Sequence, residues 1–322
     1  MLIYLKEANG MTTKAKKLGE STTVERGRNN TERVRLSCAC NRDIDLDELA
    51  ISYPDRKREI LNKFLPELNK TMTNYAITNC IQKVHFLAQV GHESAELQYV
   101  AEVLPKEVTE ENTYGGYKGR GLIQLTHKSN YVAYGDAVGE NFLDANKTKL
   151  EETKWATDSA GWYWCNGSTY DLNSSAEKND LIFISAAING GFNGYEGFTS
   201  GRLELLKNAV NALNISICPR LEALFAAFPE KPKFEYESFK LEDSKANEKP
   251  DMAFAWGYWH DKKSKRKGTQ KIDAQAKIGY SRYLELIEAM NAVQLKKLIS
   301  KRFGISRIEM RIHAQNRVKE LD

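Results

Sequence analysis

The chain has 322 residues, 41% of them hydrophobic and 28% charged, with a formal net charge of +4. This composition suits one large or two ordinary globular domains and excludes collagen-like and wholly disordered classes. A balance so near neutral calls for neither nucleic acid nor an anionic membrane as partner, although residues 261–322 hold 16 basic against 7 acidic side chains, a local net of +9.

The longest apolar run, Ala223 to Phe228, falls far short of the ~20 residues of a membrane span. Leu2 to Leu5, closed by Lys6, is too short for a secretory signal. The sequence therefore predicts a protein made in the cytoplasm without a signal peptide. Five cysteines, Cys38, Cys40, Cys80, Cys165 and Cys218, are too few and too scattered to build a disulfide framework. The spacing Cys38-Ala-Cys40 lacks a second Cys or His pair at a familiar interval, so the expectation is buried apolar thiols and no metal site.

In chain order, residues 1–36 are polar and basic and read as a flexible leader. Residues 37–215 carry most of the periodic segments. Acidic residues before and after Leu46 predict a short helix from about Asp45. Apolar Ile60, Leu61, Phe64, Leu65 and Leu68 predict a helix over 55–69 despite Pro66. Ile77, Ile81, Val84, Leu87, Ala88 and Val90 predict another over 74–94. Thr109 to Gly121 is loop chemistry, followed by expected helices near 129–138, 157–165, 180–188 and 202–213. Pro219, Pro229, Pro232 and Pro250 mark 216–250 as a linker or boundary region. Residues 251–322 form a basic, mostly helical C-terminal region, with helices from about Asp273 to Ser300. Its aromatic knot, Phe254, Trp256, Tyr258 and Trp259, reads as core more than as a sugar-stacking surface. Strand-like alternation is scarce, so the fold class is mainly α.

Two features carry chemistry. His92-Glu93 ends an apolar helix, and a carboxylate among apolar positions is costly unless paired or functional. Tyr117 to Thr126, YKGRGLIQLT, combines glycines with Arg120, Gln124 and Thr126; if extended, it sets Leu122, Gln124 and Thr126 on one side. It lacks the Gly-Lys-Ser/Thr ending of a phosphate loop. No Gly-x-Ser-x-Gly supports a serine nucleophile.

His92-Glu93-Ser94, YKGRGLIQLT and Ile188-Asn-Gly-Gly, in that order, resemble glycoside hydrolase family 19, the family of certain chitinases and phage endolysins. The likeness covers roughly 74–213, and Tyr99-Val-Ala-Glu102 matches the second-carboxylate context of the family's lysozyme-like branch. The resemblance implies a lysozyme-like, two-lobed α-helical hydrolase with a substrate cleft and a helical C-terminal extension, its family 19-like catalytic domain spanning 37–215. It implies no cofactor and no metal. Glu93 would be the general acid, its pKa raised by apolar surroundings. Glu102 would be the base, and Thr126 would help hold the attacking water. His92, Tyr117, Arg120, Gln124, Asn130, Tyr131 and Asn189 would bind substrate or line the groove, and Arg202 would support the site by pairing with a catalytic carboxylate.

This assignment sets a geometric condition. Nine residues of unbroken helix would put Glu93 and Glu102 on opposite faces, about 13.5 Å apart along the axis, so the helix must end between them. No Gly or Pro marks that end, which leaves Glu107, Glu110 and Glu111 as alternative bases. The short interval from Glu102 to Tyr117 favours an open cleft and peptidoglycan glycan strands over chitin. A chitinase using the same residues, and a non-catalytic glycan-binding or delivery module, are the alternatives.

The Cys38-Ala-Cys-Asn-Arg-Asp-Ile segment resembles the entry region of type VI secretion lytic effectors. That resemblance implies a secretion-apparatus carrier, a cognate immunity protein and action at the wall of a target cell. A phage endolysin would lack a signal peptide equally well.

Overall fold

The computed structural model describes residues 38–197, 199–221, 239–298 and 300–322. The leader and the Ala223–Phe228 run lie outside them. Helices dominate the described residues, and one two-residue antiparallel pair, β1 (Lys301–Arg302) with β2 (Ile305–Ser306), is the sheet found there. The chain is mainly α, as its sequence predicts.

α1 (Leu46–Ser52) starts at Asp45, whose side chain accepts from the Asp47 and Glu48 amides while Glu48 reaches back, a reciprocal cap. α2 (Arg58–Asn74) tolerates Pro66 because that residue is on the exposed face, where water can serve the carbonyl freed by the ring. It runs on to Asn74, so the next helix begins later than its periodicity suggests. α3 spans Cys80–Glu93, capped by Asn79 with Gln82. Twelve of its 14 residues are buried, including Lys83, His85 and Gln89. It is therefore the central helix of the core, packed on α8 (Arg202–Ala212). Gly91 allows that packing: a Cβ there would lie 3.1 Å from Leu205 of α8 and 2.5 Å from the Tyr53 ring at the end of α1.

α4 (Lys128–Val138), α5 (Thr153–Trp162) and α7 (Leu181–Asn189) fall near their expected places, with a short α6 (Leu172–Glu177) between the last two. Asp180 caps α7 and also accepts from Ser244 Oγ at 2.6 Å and the Lys245 amide at 2.8 Å. The later part of the 216–250 region is thereby pinned to the helical body.

α9 (Pro250–His260) carries the aromatic knot. Phe254, Trp256 and Trp259 are buried in the same apolar cluster as α3. α10 (Asp273–Glu288) crosses α9 at two glycines; a Cβ on Gly279 would sit 2.3 Å from the Gly257 amide nitrogen. Helix does not continue to Ser300. It stops at Glu288, resumes briefly as α11 (Ala292–Lys297), and after the hairpin at Phe303-Gly304 is followed by α12 (Arg307–Leu321), which the periodicity did not reveal.

Asp261 ties these elements together. Its buried carboxylate accepts from Arg317 Nε at 2.7 Å and Nη2 at 2.9 Å, Tyr280 Oη at 3.0 Å and the Lys263 amide at 2.8 Å. Burial alone would raise its pKa, but the nearby His313 and the hydrogen bonds from Arg317, the Lys263 amide and Tyr280 hold it well below the usual carboxylate range. A depressed folded-state pKa contributes stability above the unfolded value of about 3.9, and this is lost as pH falls toward the folded value. Asp261→Ala is expected to lower unfolding free energy at neutral pH by about 3–5 kcal/mol, because it removes two of the hydrogen bonds of Arg317 and leaves that buried charge only Glu320 as a partner. Urea titrations should show that gap narrowing below about pH 4.

Candidate active site

Glu93 is the last residue of α3 and Ser94 its C-cap. Beyond it Ala95, Glu96 and Leu97 adopt φ of 48°, 56° and 68°. Left-handed backbone costs a non-glycine residue about 1–2 kcal/mol, so three in succession must be held by their surroundings. The Glu96 amide donates to Gly91 O at 2.6 Å, and the Leu97 amide to Ser94 Oγ at 2.8 Å. Arg56 reaches across from the segment before α2, donating to Glu96 O at 2.9 Å and Ala95 O at 2.8 Å. The Asp55 amide donates to the Glu96 carboxylate at 3.1 Å. The helix therefore ends between Glu93 and Glu102, as the assignment of both carboxylates to one site requires.

Glu102 follows in extended backbone, where Ala101 bridges Arg120. Its amide donates to Gly119 O at 2.8 Å, and the Gly119 amide donates to its Oε2 at 3.1 Å. The 117–126 segment is not a single extended run. Arg120 and Leu125 pair with each other, and Gly121 and Gln124 turn the chain at φ of 73° and 55°. The turn sends Leu122 into the core and leaves Gln124 and Thr126 facing Glu102 across Gly119; a Cβ there would meet Gln124 Oε1 at 2.9 Å and Thr126 Oγ1 at 3.4 Å.

Glu93, Glu102, Gln124, Thr126, Asn130 and Asn189 line one open cleft of about 580 Å³. Tyr114, His127, Tyr163 and Asn193 also line it, and nothing in the sequence pattern had singled them out. The Thr126 hydroxyl donates to Gln124 O at 2.8 Å, and Asn130 Nδ2 to Thr126 O at 2.8 Å.

Other anticipated substrate contacts sit behind this surface. Arg120 is 2% exposed and bonded to Glu151 (2.7 Å), Glu110 (2.8 Å) and Tyr131 Oη (3.2 Å). Tyr131 is fully buried, and Tyr117 packs edge-on against it. These three form the scaffold under the 117–126 turn rather than a surface for sugar. Glu110 is committed to Arg120 and Lys147, and the exposed Glu107 and Glu111 do not line the cleft.

Arg202 lies wholly out of solvent, with Nη2 2.5 Å from Glu93 Oε1 and Nη1 bonded to Gln89. The surroundings of Glu93 are thus an ion pair rather than the apolar pocket its helix suggests. His92 backs the pair. Burial, then the Arg202 charge, lowers its pKa to about 4, so it is neutral at pH 7 with Nδ1 donating to Ser200 O at 2.8 Å. Gly194, at φ 67°, packs on that ring; a Cβ would come 1.9 Å from it.

Away from the cleft, the structure gathers Cys38, Cys40, Cys80 and Cys218, their sulfurs within 4.8 Å of one another. The sequence spacing had argued against such a donor set. Only the fold brings the third and fourth thiols to the first two.

No family model matches the chain. It is 34% identical over 90 residues to an endochitinase of Arabidopsis thaliana, covering 25% of this chain and 33% of that protein. It is 36% identical over 80 residues to a glycosyl hydrolase family 19 domain-containing protein of Haemophilus influenzae, 25% of this chain and 36% of that one. The resemblance to glycoside hydrolase family 19 stands. The chain spans about a third of the length of these curated relatives. Among solved structures, chitinase C from Streptomyces griseus shares 24% identity at a TM-score of 0.42, over 53% of this chain and 76% of that one.

Arg56→Ala removes two hydrogen bonds to the backbone of the left-handed turn and a third to the Gln98 side chain, worth about 1 kcal/mol each. Amide exchange at residues 95–99 should then accelerate about tenfold or more while α3 amides keep their protection. Unchanged exchange there would mean that Arg56 does not hold the turn.

Proposed function

We propose that the chain hydrolyses β-1,4 bonds between amino sugars of peptidoglycan with inversion at the anomeric carbon. The observation that carries this reading is the pair of carboxylates, Glu93 and Glu102, on one cleft that also presents amide and hydroxyl groups. Inverting hydrolysis needs an acid and a base on opposite sides of the scissile bond, with room for water beside the base. Glu93 delivers a proton to the leaving oxygen as the bond from C1 to that oxygen breaks. Glu102 takes a proton from the water that forms the new C1–O bond, and Thr126 holds that water. Arg202 fixes the Glu93 carboxyl through Oε1, and Oε2 accepts no hydrogen bond from the described residues. Gln124, Asn130 and Asn189 supply donors and acceptors for sugar hydroxyl and acetamido groups.

The short connection from Glu102 to Tyr117 and the open cleft favour a branched polymer. Action at the wall of a target cell, after delivery by a secretion carrier, belongs to the same reading, as does an immunity protein that fills the cleft in the producing cell. The Arabidopsis relative is named an endochitinase, which supports a second reading: chitin cleavage by the same residues.

Digestion of purified sacculi and of chitin oligomers, with mass spectrometry of the reduced products, separates the readings. Muropeptides ending in reduced muramic acid are expected from wild type. Glu93→Gln and Glu102→Gln should each lose at least about 100-fold in rate while remaining folded. Cleavage of chitin with sacculi intact would establish the second reading, and cleavage of neither would reduce the cleft to a binding site.

A further inference from the structure

We propose that Cys38, Cys40, Cys80 and Cys218 hold a structural zinc ion as a tetrathiolate site. Cys40 Sγ lies 3.2 Å from Cys80 Sγ and 3.4 Å from Cys218 Sγ, and all four sulfurs fall within 4.8 Å of one another. Thiolates bound tetrahedrally to zinc at about 2.3 Å are about 3.8 Å apart, so small side-chain adjustments complete the coordination. Thiols are weak hydrogen-bond donors, which gives four of them little reason of their own to converge. Here they converge from three separate places: the 38–42 loop, the first turn of α3, and the residue after the short helical turn Ile215–Ile217.

The surroundings suit a negatively charged centre. The Cys80 amide donates to Cys40 Sγ at 3.2 Å, the kind of contact that orients a ligating thiolate. Lys83 is 4% exposed, and its ammonium donates to Ala39 O at 2.9 Å and to Arg42 O. Asp43 acts on that ammonium through space, but the hydrogen bonds it donates go to these two carbonyls. A buried ammonium is costly without a counter-charge, and zinc on four thiolates carries a net −2 directly beside the loop it grips. Arg42, donating to Cys38 O at 3.0 Å, brings a second cation, shared with Glu48.

The site would cross-link the 38–42 loop, α3 and the chain just after α8. Cys80 and Glu93 stand at opposite ends of α3, about 20 Å apart along its axis, so the ion would hold the scaffold and take no part in glycoside chemistry. The inference is independent of the proposed reaction.

The test is metal analysis and thiol counting on the full chain purified without chelator. About one zinc per chain is expected, with all five cysteines alkylated once the protein is denatured in chelator. Cys80→Ser and Cys218→Ser should each reduce zinc below about a tenth of an equivalent, whereas Cys165→Ser, which lies outside the cluster, should retain it. Releasing the ion with a mercurial should lower the melting temperature of wild type. Should the serine variants fail to fold, the zinc content and thiol count of wild type decide the matter. A disulfide between any two of the four cysteines, iron in place of zinc, or wild type that takes up no stoichiometric zinc when refolded with it would overturn the proposal.

Discussion

A guanidinium sealed from solvent must find a carboxylate, and the Arg202–Glu93 pair is the constraint around which the rest of this molecule is arranged. Arg202 opens α8 and Glu93 closes α3, so the pair exists only while those two helices stay packed. Gly91, the buried length of α3 and the hydrogen bond from Tyr53 to Leu87 O at 2.7 Å all serve that packing. The Asn189–Gly201 loop, with Gly194 against the His92 ring and Ser200 accepting from it, closes the pair from above.

The C-terminal region extends the same support. Thr269 donates to Phe192 O at 2.7 Å, Gly268 O accepts from the Glu196 amide at 3.2 Å, and Trp259 packs against Gly191. The loop carrying Asn189 and Asn193 to the cleft is thus held between α3 on one side and the segment after α9 on the other. The second carboxylate is positioned by an independent device. A left-handed turn of three ordinary residues, held by Arg56, directs the chain from the end of α3 into the extended backbone of Glu102.

Helices with one apolar face were legible in the sequence because burial writes a 3.6-residue period into them. α3 was legible as a helix, although its start was displaced: with almost every position buried, periodicity loses contrast and only the Asn79–Gln82 cap marks the beginning. The candidate acid and base were legible through their motif contexts. The turn between them was not, since Ala95, Glu96 and Leu97 carry no local preference for left-handed backbone and are held there by Arg56, forty residues away. Arg120 and Tyr131 looked like ligand-binding groups for the same reason in reverse: Glu110 and Glu151, which pair with Arg120, lie on other segments, Tyr131 bonds to Arg120 and to Lys118 O, and only the fold shows that these groups are already satisfied. The four-cysteine cluster is the extreme case, since Cys40 and Cys218 are 178 positions apart.

The central claim is that Glu93 and Glu102 act from opposite sides of one bond with a water between them. Its most direct test is proton NMR of the reducing ends released in the first minutes of cleavage of a β-linked amino-sugar oligomer, before mutarotation. Newly formed ends in the α configuration are the predicted result, because water must enter opposite the leaving group. Ends formed first in the β configuration would mean a covalent or substrate-assisted route, and would contradict the roles assigned to both carboxylates.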